Sequence, residues 1–145
     1  MAALFMPPPK LDMMVQWRPS HLRTATFVCG LDNATGTVRC TGGGIWREAD
    51  AQLYFDQQTK IVAEARRRFG ALRVFIDVRD WVVENEQSVL QFCAMNAQIY
   101  SAADRLAAIV KSSADKQHPR TALAVGIRES FVSPNAAEMW LQAYS

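Results

Sequence analysis

Apolar positions along the chain follow two periods, and the switches between them divide it into elements. Ala25, Phe27 and Cys29 alternate with Thr24, Thr26 and Val28, the two-residue period of a strand over 23–29. Leu31-Asp32-Asn33-Ala34-Thr35-Gly36 carries turn chemistry, and a second strand follows over 37–41. A turn centred between Ala34 and Thr35 sets Cys29 opposite Cys40 across this hairpin. The run Gly42-Gly43-Gly44 is then expected to break the strand. Beyond it Ala51, Phe55, Gln58, Val62, Ala65 and Phe69 recur at three- and four-residue steps, widened by Tyr54 and Ile61. Glu48 and Asp50 suit the N-terminus of this helix, while Arg66-Arg67-Arg68 and Gly70 suit its end.

Leu72 to Val78 is apolar on most of both faces and predicts a buried strand. A helix is expected over 84–100, with Val89, Phe92, Cys93, Asn96 and Tyr100 along one side. Another apolar strand covers 105–110, and Ser113 can cap a helix that Pro119 disturbs. A last strand over 130–133 leads to a helix over 136–143, opened by Pro134-Asn135 and carrying Met139, Trp140 and Leu141. Residues 1–20 read as a semi-ordered arm, because Pro7-Pro8-Pro9 favours polyproline II and neither period persists there. Met13, Met14, Val15 and Trp17 are able to dock it on the domain formed by 21–145. Strands separated by helical patterns imply an α/β fold. Its expected form is a mostly parallel, four- to five-stranded sheet with an antiparallel N-terminal edge hairpin, covered by helices.

Composition changes this picture little. A chain of 145 residues suits one domain, and a net charge of +2 gives no basis for a nucleic-acid groove or an anionic membrane surface. The three cysteines, Cys29, Cys40 and Cys93, form no CxxC pair, and no His/Cys cluster has zinc spacing. Buried, reduced thiols are expected, with no metal and no cofactor; a Cys29–Cys40 disulfide would need an oxidising compartment. MAALFMPPPK lacks a basic n-region, and the uncharged stretch 87–103 is too rich in Gln, Ser and Asn to span a membrane. A cytoplasmic location is expected.

Four segments, GGGIWREADAQLYF, RVFIDVRD, DRLAAIVKSSADKQ and SFVSPNAAEMWL, resemble in that order the small bacterial SpoIIAA-like, or STAS-like, proteins. The resemblance runs from about Thr24 to the C-terminus and rests on hydrophobic and turn residues. It implies βα units around a small sheet, a fold shared with anti-sigma-factor antagonists and CRAL–TRIO lipid-transfer domains. In the antagonists, the strand ending in aspartate leads into Asp-Ser-Ser/Thr-Gly, whose serine is phosphorylated. Here Asp77-Val78 is followed by Arg79-Asp80-Trp81-Val82-Val83-Glu84-Asn85-Glu86-Gln87-Ser88, without the serine pair or the glycine. Glu84 and Glu86 would repel a phosphate on Ser88, so no phospho-switch is expected.

Binding, rather than catalysis, is the expected function. His21 and His118 share no motif with a nucleophile, Cys93 reads as core, and Asp77 with Asp80 reads as loop and cap. The three glycines have neither GxGxxG spacing nor a P-loop lysine, and suit a sharp turn or close packing beneath Trp46. Ligands of open α/β sheets gather at the carboxyl ends of the strands. Two strand-to-helix junctions are expected there, Arg79-Asp80-Trp81 and Lys111-Ser112-Ser113. They offer two cations, two hydroxyls and an indole to a carboxylate or phosphate with an apolar body. The leading expectation is a regulatory domain that binds another protein through a sheet edge or helix face. The alternative is a carrier or sensor of a small, lipid-like amphipathic anion, and an enzyme comes third. A homodimer is compatible with base rates.

Overall fold

The structure is a computed structural model of the chain, and it describes residues 10–17, 25–82, 86–116 and 127–143. These residues form one six-stranded sheet in sequential order: β1 (Asp12–Trp17), β2 (Thr26–Asp32), β3 (Thr37–Ile45), β4 (Arg73–Val82), β5 (Arg105–Ile109) and β6 (Ile127–Phe131). The β1/β2 and β2/β3 pairs are antiparallel, and the remaining pairs are parallel. Three α-helices accompany them: α1 (Glu48–Phe69), α2 (Glu86–Ile99) and α3 (Pro134–Gln142). No helix among the described residues is long and apolar enough to cross a membrane.

Sequential strand order explains the layering. Right-handed crossovers that always step in one direction put their helices on one face of the sheet, and α1 and α2 lie together there. Val38 and Cys40 of β3, Val74 and Ile76 of β4, and Leu106 and Ala108 of β5 join that core. Alternate residues Phe75, Ala107 and Ile109 pack on the other face with Ala137, Trp140 and Leu141 of α3. Leu72, Val74, Leu106 and Ile109 are at most 1% exposed, and each such side chain contributes about 1.5–3 kcal/mol by leaving water.

Polar staples set the ends of the elements. Arg47 N donates to Asp50 Oδ2 (3.0 Å) at the start of α1, so the helix's own carboxylate answers its N-terminus. Asp104, fully buried before β5, accepts from Arg66 Nη1 (3.0 Å) and Nη2 (2.9 Å), Leu72 N (2.9 Å) and Ser101 N (2.8 Å). On the other face, Arg39 binds Asp32 (2.9 Å) and forks onto Glu138, tying α3 to the hairpin. Ser133 caps α3 by accepting from Ala136 N (3.3 Å).

Several expectations are corrected. The sheet has six strands instead of four or five, because part of the expected arm forms the edge strand β1. Its period was hidden by a bulge, since Met13 and Met14 together face Gly30 and Met13 has φ 55°. The glycine run does not end β3, which pairs with β2 as far as Gly43 and with β4 as far as Ile45. The expected strand over 72–78 runs on to Val82, so Arg79, Asp80 and Trp81 belong to β4 and not to a junction. Beyond β5, Ser113–Lys116 forms a 3-10 turn, and the rest of the helix expected from Ser113 lies outside the described residues. The last strand is Ile127–Phe131, with Ser133 already serving the helix. His21, Glu84, Asn85, His118 and Pro119 lie outside the described residues.

Candidate functional site

Between the sheet, α1 and α2 lies a cavity of about 50 Å³, lined by Cys40 and Gly42 of β3, Trp46, Tyr54, Ile76, Val78 and Trp81 of β4, Phe92, Asn96 and Ala108. It sits toward the carboxyl ends of β3 and β4, the end where sheets of this kind receive ligands. Two local devices create it.

The first is the glycine run. Trp46 lies across Gly42, where an added Cβ would come within 3.2 Å of Trp46 Cζ2. Trp46 Nε1 donates to Gly43 O (2.8 Å), fixing the indole over the strand it has just left. The close packing expected beneath Trp46 is therefore present at Gly42, inside a continuous strand.

The second is a bulge in β4. Thr41 pairs with Asp77 and Gly43 with Asp80, so Val78 and Arg79 together oppose Gly42. Strict alternation from Ile76 and Val78 would turn Trp81 to the far face. The extra residue reverses the alternation and brings Trp81 back beside Ile76 and Val78. Its ring meets Phe92 at 5.1 Å. Phe92 continues to Trp46 (5.7 Å) and Phe55 (5.4 Å), and Trp46 to Tyr54 (5.1 Å), so connected aromatic rings supply four of the ten lining residues.

A small polar network closes the inner end. Gln58 Nε2 donates to Cys40 Sγ (3.0 Å) and to Tyr100 Oη (3.0 Å). Gln58 is fully buried, and its Oε1 has no hydrogen-bond partner in the protein; leaving such an acceptor open costs about 1–3 kcal/mol. Cys29 faces Cys40 in the register predicted from the turn, and both thiols are free and buried. The hydrogen bond from Cys29 holds the Cys40 pKa down, helped by bonds from Tyr54 and Gln58 that outweigh burial. Cys29 is pushed well up, first by donating to Cys40 and then by burial. Burial also keeps the Tyr54 and Tyr100 hydroxyls protonated.

Of the residues expected to bind a ligand, only Trp81 lines this cavity. Arg79 is exposed and bends back onto Asp77, with Nη2–Oδ2 at 2.6 Å and Nε–Oδ1 at 3.0 Å. The Asp80 Cβ lies near the position a Gly43 Cβ would take, on the face away from Trp46. Lys111, Ser112 and Ser113 are exposed beyond β5 and take no part in the lining. The expected cluster therefore divides between two faces. No protein-family model, curated protein or solved structure matches the chain.

The lining chemistry is specific in kind. It contains no Lys, Arg, Asp or Glu, and its polar side chains are Cys40, Tyr54 and Asn96, with the Trp46 N–H already committed to Gly43. Among the described residues, no group of three His, Cys, Asp or Glu side chains is placed to hold a metal ion. Sequence reasoning placed Cys40, Tyr54, Asn96 and Phe92 on plausible faces without connecting them. The missing signal was the bulge, which no side-chain pattern records.

Proposed function

We propose that this chain is a non-catalytic, STAS-like binding domain, whose ligand is a small neutral molecule with an aromatic or apolar body and one polar group. One observation carries the reading: an aromatic-walled cavity at the carboxyl ends of the strands, uncharged in its lining, with a few polar atoms at one end. Ligand sites have this composition, apolar walls with sparse polar groups that fix orientation. A cavity of about 50 Å³ holds a few waters at about 10–15 Å³ each. A single ring enters when Trp81 and Phe92, both half-buried, swing outward. An amphipathic anion is less favoured, because Arg79 is held by Asp77 and the lining offers no cation.

Para-cresol, benzoate and octanoate distinguish these ligand classes. The neutral phenol is expected to raise the melting temperature and shift the Trp46 and Trp81 indole resonances, while the two carboxylates do neither. Preference for the carboxylates, lost on Arg79→Ala with Lys111→Ala, would replace this reading with the anion carrier.

A second reading, recognition of a protein partner, draws on Ile45 and Val82. They pair across β3 and β4 and stand 37% and 50% exposed at the strand ends. A solved complex burying at least about 1,000 Å² over these residues would support it.

A further inference from the structure

We infer that Cys40 and Cys29 form a redox-modification site, in which a small organic hydroperoxide enters the aromatic cavity, oxidises Cys40, and leaves a cross-strand Cys29–Cys40 disulfide. The inference rests on the cavity admitting small apolar guests, as proposed above.

The two thiols differ in a way that assigns their roles. Cys40 lines the cavity and Cys29 does not, so a guest meets Cys40 first. Cys40 Sγ accepts from Gln58 Nε2 at 3.0 Å, a donor that favours its thiolate. Cys29 stands directly opposite in the antiparallel register. Opposed residues in such a pair have Cα atoms about 4.5–5.5 Å apart, inside the range of about 4.4–6.8 Å that a disulfide requires. The Cα spacing of such a pair therefore permits the bond.

The chemistry balances with the hydroperoxide as the named oxidant. The Cys40 sulfur attacks the terminal peroxide oxygen, an S–O bond forms, and the O–O bond breaks. The leaving alkoxide takes up the thiol proton and departs as the alcohol. The peroxide is reduced by two electrons, and Cys40 becomes a sulfenic acid. The Cys29 sulfur then attacks Cys40, forming S–S and breaking S–OH, and the hydroxide leaves as water with the Cys29 proton. The apolar walls favour a hydroperoxide carrying a hydrocarbon group.

Cys93 supplies an internal control, being partly exposed on α2 and outside the cavity lining. The fully reduced chain is treated with tert-butyl hydroperoxide, quenched over time and analysed by intact and peptide mass spectrometry. The expected result is loss of two hydrogen atoms, a linked Cys29–Cys40 peptide pair, and slower oxidation of Cys93. In Cys29→Ala, which keeps a small apolar side chain in the core, dimedone is expected to label Cys40. Para-cresol, and cavity filling by Ala108→Leu, are each expected to slow the wild-type disulfide severalfold. Oxidation of Cys93 ahead of an intact Cys29–Cys40 pair would overturn the inference. If para-cresol binds the reduced protein and no disulfide forms, the redox site fails while the binding site stands. If the disulfide forms at a rate that neither para-cresol nor Ala108→Leu changes, the cavity route fails.

Discussion

Asp104 shows how one side chain can organise several elements. It is fully buried, and it joins the end of α1 through Arg66, the entry to β4 through Leu72 N, and the turn after α2 through Ser101 N. Burial by itself would raise its pKa, but bonds from Arg66 and the two backbone N–H groups outweigh it and hold the carboxyl below its ordinary value of 3.8. A depressed carboxylate contributes stability that is complete above its unfolded-state value and is lost as pH falls below it. Asp32, lowered mainly by Arg39 against its own burial, loses its contribution in the same acid window. Asp104→Ala is expected to cost about 3 kcal/mol in urea unfolding at neutral pH, because it leaves the buried Leu72 and Ser101 amides unanswered and removes two bonds to Arg66. Asp104→Asn should flatten the acid limb of the stability curve. An unchanged acid limb would show that the carboxylate is not the titrating staple. Neither the sequence pattern nor the spacing of charges singles out Asp104, since Arg66 and Leu72 come from segments that only the tertiary fold brings to it.

At the scale of elements, the β4 bulge decides what the site contains. A strand exchanges faces when one residue is inserted, and Trp81 lines the cavity only because Val78 and Arg79 share one partner. Deleting Arg79 removes the extra residue and should turn Trp81 to the α3 face. Para-cresol affinity is then expected to fall by at least about tenfold, or roughly 1.4 kcal/mol. Arg79→Ala keeps the residue count and should bind normally; if it binds as weakly as the deletion, the guanidinium and not the register matters. The legible elements were those with an uninterrupted period. The α1 stripe from Ala51 to Ala65, the Gly70 end of the helix, and the Cys29–Cys40 register all follow from local rules, whereas Phe69, expected on the same stripe, is exposed. The illegible ones contain irregularities. Met13 and Met14 conceal β1, and the glycines of β3 resemble a loop until Trp46 is seen lying across them.

For the whole molecule, sequential strand order places α1 and α2 on one face and leaves α3 to cover part of the other. The two faces then have different roles. The α3 face is stapled by Arg39, Asp32 and Glu138, while the α1/α2 face encloses aromatic walls around unfilled volume. The α/β class and the mostly parallel sheet were legible because helical and strand periods alternate along the chain. The cavity was not, because it arises from Gly42, Trp46, Trp81 and Phe92 meeting across distant segments. The proposed function requires the aromatic cavity to receive a small neutral guest. The most direct measurement is a crystal structure of the reduced protein grown with para-cresol. The account predicts one ring bounded by Trp46, Trp81 and Phe92, with its hydroxyl among Cys40, Tyr54 and Asn96. An empty cavity at saturating para-cresol, or a ring bound only beside Arg79 and Lys111, would contradict it.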